Sequence, residues 1–118
     1  MENLIAVLFL ARDVAHREHL RTKSFAQHMA LNSFYNDIID NADAIAEAYQ
    51  GAYELMSPIP IKAYTGSKDI IATLQEYVQW IKDNRYKVCS KDDTSIQNLI
   101  DEAVATFQST LYKLRFLS

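Results

Sequence analysis

Apolar residues recur every three or four positions through four separate stretches of the chain, which is the spacing of one face of an α-helix. The first stretch runs from Asn3 to about Leu20. The polar segment RTKS follows it, and either Thr22 or Ser24 can cap the next helix. The apolar stripe of that second helix continues as far as Met56, which predicts an element about 50 Å long.

Two further helices are predicted beyond a proline-containing segment. The sequence SPIPIKAYTG ends the second helix, and ten extended residues reach roughly 33 Å, enough for a crossover along a bundle. Ser67 can cap a third helix over KDIIATLQEYVQWIKDN, and the DDT sequence caps a fourth whose stripe runs from Ile96 to Leu114. Four amphipathic helices predict one all-α domain over residues 1–118, a four-helix bundle.

Composition narrows the classes of function. The chain has 118 residues, of which 49% are hydrophobic, and only two glycines and two prolines, as expected of one helical core. A net charge of -3 without a basic cluster argues against nucleic-acid binding. The apolar run LIAVLFLA follows no basic segment and is too short to span a bilayer, so it reads as a buried helix and no membrane partner is expected. Cys89 is the single cysteine, which fits a reducing cytoplasm.

A polar strip lies beside the apolar stripe of the second helix. His28, Asn32, Asp43 and Glu47 fall within roughly 100° of one another on the helical wheel. His28 and Glu47 are nineteen positions apart, about 28 Å along the axis, so one helix cannot bring them to one ion. A single site requires a second copy of the helix running antiparallel, which predicts a two-fold homodimer.

Metal ligation is one interpretation of this strip. His16, at the end of the first helix, could fold back towards His28, and two imidazoles with two carboxylates suit Fe(II), Mn(II) or Zn(II). Asp43 and Glu47 repel each other at a spacing of four unless a cation lies between them. The other interpretation is that these are ordinary, partly exposed polar residues. His19 lies next to these candidates. It is either a neighbour that supports the ligands or simply part of the polar end of the first helix.

Three segments resemble the Dps family, the small ferritin-like proteins that protect DNA during starvation: HREHLRTKSFAQH, DNADAIAEAYQ and, more weakly, DDTSIQNLIDEAVATFQSTLYKLRFL. In that family two histidines twelve apart precede a carboxylate four residues on, and then an Asp and a Glu four apart. His16 and His28 match the histidines, and Asp43 and Glu47 match the acidic pair. Asn32 stands in place of the remaining carboxylate, and Arg17 in place of a tryptophan that many members have.

The resemblance implies a ferritin-like four-helix bundle with a long crossover between the second and third helices. It further implies dimers through the second helix, a twelve-subunit shell, and oxidation of Fe(II) by peroxide or oxygen. His16 and His28 of one chain would face Asp43 and Glu47 of the other. The uncharged Asn32 would weaken the site, while Mn or Zn are the alternative metals, and a degenerate site would bind none.

A function of a different class stays open. The chain could be a non-catalytic interaction protein, for example one encoded by a virus and binding a host factor, that kept the bundle without metal chemistry. Its partner would then bind elsewhere, with the aromatic crossover around Tyr64 as the candidate surface. A plain helical bundle whose histidines satisfy the edges of the core is the third reading.

Overall fold

Four helices make up the protein in the computed structural model, which describes residues 1–64, 66 and 68–118. They are α1 (Glu2–Arg21), α2 (Phe25–Ala52), α3 (Ile70–Val88) and α4 (Thr94–Phe116). None of the described residues lies in a strand. The all-α prediction is confirmed. Within the same residues no helix combines the length and the apolar character needed to cross a membrane.

Side-chain caps fix the start of two helices. The hydroxyl of Ser24, and not that of Thr22, accepts from the backbone N–H of Gln27 at 3.2 Å at the start of α2. The carboxylate of Asp69 accepts from the N–H of Ala72 at 2.8 Å, so α3 begins two residues after the predicted Lys68. The predicted cap Ser67 lies outside the described residues. α4 starts after Asp93, within the DDT sequence, without a side-chain cap bond.

The second helix ends earlier than its apolar stripe predicts. α2 stops at Ala52 and spans about 42 Å, and the helix predicted through Met56 is wrong over its last turn. The side-chain oxygen of Gln50 accepts from the N–H of Met56 at 3.0 Å, and Tyr53 turns its hydroxyl onto Asp93 at the start of α4. These two contacts direct the chain out of the helix, so the apolar Met56 packs against the core from the crossover.

Each helix packs against two others. α1 contacts α2 and α3, and α4 contacts the same two helices, so α1 and α4 lie on a diagonal. The core between α2 and α4 includes Phe34 and Phe107, which meet edge to face with ring centroids 5.0 Å apart. Both phenylalanines are fully buried.

The crossover between α2 and α3 runs back along α1. At its start the N–H of Ser57 donates to the carboxylate of Glu2 at 2.9 Å, at the beginning of α1. Near its end the guanidinium of Arg17 lies over the ring of Tyr64, 5.2 Å from the centroid, at the other end of α1. Because the crossover returns to the end of the bundle where α2 began, α2 and α3 run parallel.

Candidate functional site

Two histidines lock the turn between α1 and α2. Nδ1 of His19 lies 2.8 Å from the carbonyl oxygen of His28, and Nδ1 of His28 lies 2.9 Å from the carbonyl oxygen of His19. Their rings stack with centroids 3.7 Å apart. A carbonyl can only accept, so each Nδ1 carries a proton, and in the neutral form of either ring the lone pair lies on Nε2. In a metal-ligating histidine one ring nitrogen binds the metal, and the other usually donates a hydrogen bond to an acceptor such as a backbone carbonyl.

The local sequence explains this pair. α1 ends at Arg21, so its last carbonyl groups lack partners within the helix. The N–H of Thr22 bonds the carbonyl of Glu18, and the ring of His28 satisfies that of His19. The short turn capped by Ser24 holds α2 close enough for this contact. The histidine pair thus also caps the end of α1.

Tyr35 joins the remaining polar residues to the pair. Its ring stacks on His16 with centroids 4.2 Å apart, and it meets His19 edge-on at 5.2 Å. Its hydroxyl donates to the side-chain oxygen of Asn32 at 2.8 Å. Three of the five predicted ligands, namely His16, His28 and Asn32, therefore belong to one cluster at one end of the bundle. His16 is exposed, while His28 and Asn32 are partly buried.

The two predicted carboxylate ligands lie elsewhere on the chain. Asp43 and Glu47 are exposed and follow His28 along α2 by about 22 and 28 Å. In the part of the chain that the structure describes, no three His, Cys, Asp or Glu side chains come together closely enough to hold a metal ion. This distance between the carboxylates and His28 is the one expected for residues fifteen and nineteen positions apart on one continuous helix.

Two further residues, His19 and Tyr35, belong to the cluster and were not among the predicted ligands. His19 was only a possible neighbour of the ligands, yet it is buried and makes half of the reciprocal contact. Tyr35, whose spacing on α2 is that of the apolar stripe, packs against the core and also bridges His16 and Asn32. The available signal was spacing, because His19 follows His16 by three residues and Tyr35 follows Asn32 by three, which puts each pair on one helix face.

A second polar cluster closes the opposite end of the bundle. The Asp93 carboxylate accepts from the Tyr53 hydroxyl and from the Cys89 thiol, the latter at 3.2 Å. The hydrogen bond to this carboxylate raises the pKa of Tyr53 to about 12. Burial, together with the same carboxylate, raises the pKa of Cys89 to about 11. The two hydrogen bonds lower the pKa of Asp93. Because Tyr53 and Cys89 stay protonated and donate to Asp93, this cluster links the ends of α2 and α3 to the start of α4.

A groove of about 460 Å³ lies between α1, the crossover and α3. Its lining includes Leu10, Tyr64 and Tyr77 beside the ion pair of Lys68 with Glu76, whose atoms are 2.7 Å apart. Burial raises the pKa of Tyr77 to about 12. Arg17, which stands where many Dps proteins have a tryptophan, lies over the ring of Tyr64 at the edge of this groove.

The fold and the clusters define a four-helix protein with a histidine-rich end. Comparison with family models gives a match over residues 19–114 to DUF5856, described as a family of unknown function. The chain belongs to this family. The matched region contains His19, His28, Asn32, Asp43 and Glu47, whereas His16 lies before it. No curated protein and no solved structure matches the chain.

Proposed function

We propose that the protein is a ferritin-like, Dps-like iron-binding protein whose site forms between two copies of α2. The observation that carries the proposal is the reciprocal hydrogen bonding of His19 and His28, which leaves Nε2 of His28 as a metal donor in a fixed ring. His16 and Asn32, held by Tyr35, supply a second imidazole and an amide oxygen beside it.

The course of the chain supports the ferritin-like assignment. α2 and α3 run parallel because the crossover returns along α1, from Glu2 to Arg17. One long crossover of this kind distinguishes ferritin-like bundles from simple up-and-down bundles.

An antiparallel second copy supplies the missing carboxylates. Asn32 follows His28 by four residues, and Asp43 precedes Glu47 by the same four. When two α2 helices run antiparallel with His28 opposite the partner's Glu47, Asn32 therefore lies opposite the partner's Asp43. Two-fold symmetry repeats the arrangement, so one dimer holds two sites.

The chemistry of these donors fits Fe(II) as the substrate. Each site would combine two imidazoles, one amide and two carboxylates, a set that suits Fe(II), Mn(II) or Zn(II). Two carboxylates balance one divalent ion, and Asn32 adds no charge for a second. The site is thus expected to bind one ion firmly, and a ferroxidase reaction would pass electrons from Fe(II) to dioxygen or peroxide.

Anaerobic titration with Fe(II), followed by size-exclusion chromatography with light scattering in air, tests the proposal. His28→Ala and Glu47→Ala should each abolish binding, and Asp37→Ala, an exposed acidic control on the same helix, should not. A complex in the size range of a twelve-subunit shell, eluting with many irons per chain, would support storage as well as binding. An iron-free protein, or binding that survives His28→Ala, would overturn the proposal.

Mixing the two inactive variants tests whether the site spans two chains. A heterodimer of His28→Ala and Glu47→Ala chains has one site lacking both groups and one site with both intact. Random pairing should therefore restore about a quarter of the wild-type sites. No recovery despite subunit exchange would reject a site that His28 and Glu47 of two chains share.

A non-catalytic interaction protein is the second candidate function. The observation that favours it is the groove beside Tyr64, which combines partly buried aliphatic and aromatic side chains with a charged pair. This reading predicts that Fe(II) leaves the mass and stability unchanged. It also predicts that a partner protein loses affinity when Tyr64→Ala opens the groove.

A further inference from the structure

The first part of the crossover, residues 55–62, presents apolar side chains to solvent and is called the proline segment below. Ile61 and Leu55 are 93% and 83% exposed, the two highest values among the large hydrophobic side chains that the structure describes. Pro58 and Pro60, between them, are exposed as well. Such side chains gain free energy when another surface covers them.

Contacts in the proline segment repeat every three residues. Met56 and Ile59 pack against the core, and Lys62 lines a groove of about 160 Å³ together with Leu10 of α1. The other two rows of the segment are exposed, one made of Leu55, Pro58 and Ile61 and the other of Ser57 and Pro60.

The repeat identifies the conformation of the proline segment. A β-strand would place Ile59 and Ile61 on the same face, whereas Ile59 packs against the core and Ile61 is almost fully exposed. A polyproline II helix has three residues per turn, so residues three apart share a face. The exposed row of Leu55, Pro58 and Ile61 is therefore one face of a polyproline II helix.

The sequence favours this conformation and leaves the backbone free. Each proline fixes its own φ at about −65° and turns the preceding residue away from helical geometry. The N–H groups of Met56 and Ser57 donate to the side chains of Gln50 and Glu2 at the start of the segment. Within the described part of the chain, no group bonds the backbone of residues 58–62, so their carbonyl oxygens can accept from a partner.

These features specify the chemistry of a complementary surface. Because proline has no N–H, the segment offers more backbone acceptors than donors. A partner must therefore combine flat apolar faces for the exposed row with side-chain donors for the carbonyl oxygens. Tyr and Trp provide both, since each joins a large ring to an O–H or N–H group.

Positive charge lies at the end of the proline segment. Lys62 is exposed and lines the same small groove as Arg17 of α1. Asp13 also lines this groove, and its carboxylate pairs with Arg12 at 3.1 Å. An acidic side chain at one end of the partner's surface would complement Lys62 and Arg17.

We propose that the proline segment is a polyproline II ligand that docks into the aromatic-lined groove of a separate protein domain. The row of Leu55, Pro58 and Ile61 is about 19 Å long and lies against the aromatic faces. The prolines and the packed inner row already hold the segment in place, so little chain entropy is lost on docking. The inference rests on neither the iron site nor the groove beside Tyr64, because the exposed rows contain no residue of either.

An array of purified SH3, WW and EVH1 domains tests the proposal, because these domains bind polyproline II segments in aromatic-lined grooves. The full-length chain is passed over the immobilised domains in the presence of a chelator, and the Kd is measured for each domain that responds. At least one domain should bind with a Kd of about 100 μM or tighter. Binding to none of them would overturn the proposal.

Variants of the exposed row show whether a responding domain binds the proline segment. Leu55→Ser and Ile61→Ser should each raise the Kd at least about tenfold. The matched control is Leu20→Ser, which removes a side chain that is 73% exposed on α1 and should change the Kd by less than about twofold. All three sites are exposed, so the fold is retained, and thermal unfolding checks this. Equal losses in the control and the two variants would reject docking through the segment.

Pro60→Ala distinguishes a polyproline II ligand from a β-strand added to a partner's sheet. The alanine restores an N–H and frees φ, so a polyproline II groove should bind it several-fold more weakly. Strand addition would gain a hydrogen-bond donor. Unchanged or tighter binding would therefore overturn the proposed mode.

The outcomes separate the proline segment from the iron site and from contacts between copies of the chain. Domain binding that persists in His28→Ala would retain the segment in a protein that binds no Fe(II). Fe(II) binding by a protein that no domain recognises would retain the iron site and reject the segment. If no domain binds and Ile61→Ser instead raises the dimer Kd in sedimentation, the row docks onto a second copy and the proposal fails.

Discussion

His19 and His28 satisfy each other's backbone across the α1–α2 turn, with each Nδ1 donating to the other residue's carbonyl oxygen and the two rings stacked at 3.7 Å. The two bonds are to backbone carbonyls, so removing one ring ends the stacking and its own hydrogen bond, while the other ring keeps its bond. The pair fastens the end of α1 to the first turns of α2. It also sets the orientation of the imidazole that the iron site would use.

His19→Leu keeps the bulk of the side chain and removes its hydrogen bonding. We expect the free energy of unfolding to fall by about 1–3 kcal/mol, because a hydrogen bond and a ring stack are lost. Urea denaturation measures the change, and exposed His16→Leu is the matched control, with a smaller expected effect. If His19 only fills space, the two variants will be equally stable.

Gln97→Leu should destabilise the junction of α3 and α4. The amide of Gln97 donates to the carbonyl oxygens of Cys89 at 3.0 Å and Arg85 at 3.1 Å, and its oxygen accepts from the Arg85 side chain at 2.9 Å. Its loss leaves partly buried groups unpaired, at about 1–3 kcal/mol. Thermal or urea unfolding measures the loss. Gln108→Leu, exposed on the same helix, should change the stability by less than about 0.5 kcal/mol.

Cys89 should react slowly with thiol reagents in the native protein. Its pKa of about 11 leaves roughly 0.1% of it as thiolate at pH 8, and its side chain is buried. Ellman's reagent should therefore label the unfolded chain much faster than the folded one. Asp93→Ala removes the carboxylate and should accelerate native labelling, and equal rates in both proteins would contradict the role of Asp93.

Tyr53 should give the protein a component of stability that disappears in alkali. Its pKa is raised to about 12 in the folded state from an ordinary value of 10, so the phenol stabilises the fold below pH 10. That contribution is lost as the pH rises from 10 towards 12. The difference in unfolding free energy between wild type and Tyr53→Phe should therefore be constant at neutral pH and shrink above pH 10. A difference that is independent of pH would rule out the linkage.

Asn32→Asp should strengthen the proposed iron site. The new carboxylate adds one negative charge and still accepts from the Tyr35 hydroxyl. We expect Fe(II) affinity to rise on the order of tenfold, with a second ion per site, in anaerobic titration. Asn36→Asp adds the same charge one turn further along α2 and is the control. Equal gains in both variants would indicate a general charge effect instead of ligation by residue 32.

The helical pattern predicted most of the fold because the apolar stripes determine which faces must be buried. The four helices are confirmed, while their ends depend on contacts between distant residues. Tyr53 leaves α2 because its hydroxyl bonds Asp93, forty residues later, and no local pattern signals that bond.

Three members of the candidate site were predictable from the sequence, and the contacts that join them were not. Spacing indicated His16, His28 and Asn32, and the structure joins them into one cluster through Tyr35 and His19. The role of His19 depends on the exact closeness of two helices at a short turn, which side-chain periodicity does not specify. The place of Asp43 and Glu47 depends on a second molecule, so it remains a prediction.

The returning crossover divides the polypeptide into two helical hairpins that are each continuous in sequence. Residues Pro58 to Lys62 within it are largely exposed, and such a segment is where a cut or a new pair of termini is tolerated best. Because α1 packs on α3 and α2 packs on α4, every contact between the hairpins survives a cut there. A gene split at this segment should therefore yield two fragments that assemble when they are co-expressed. Each fragment can then be labelled separately, so that only one half of the bundle carries the label.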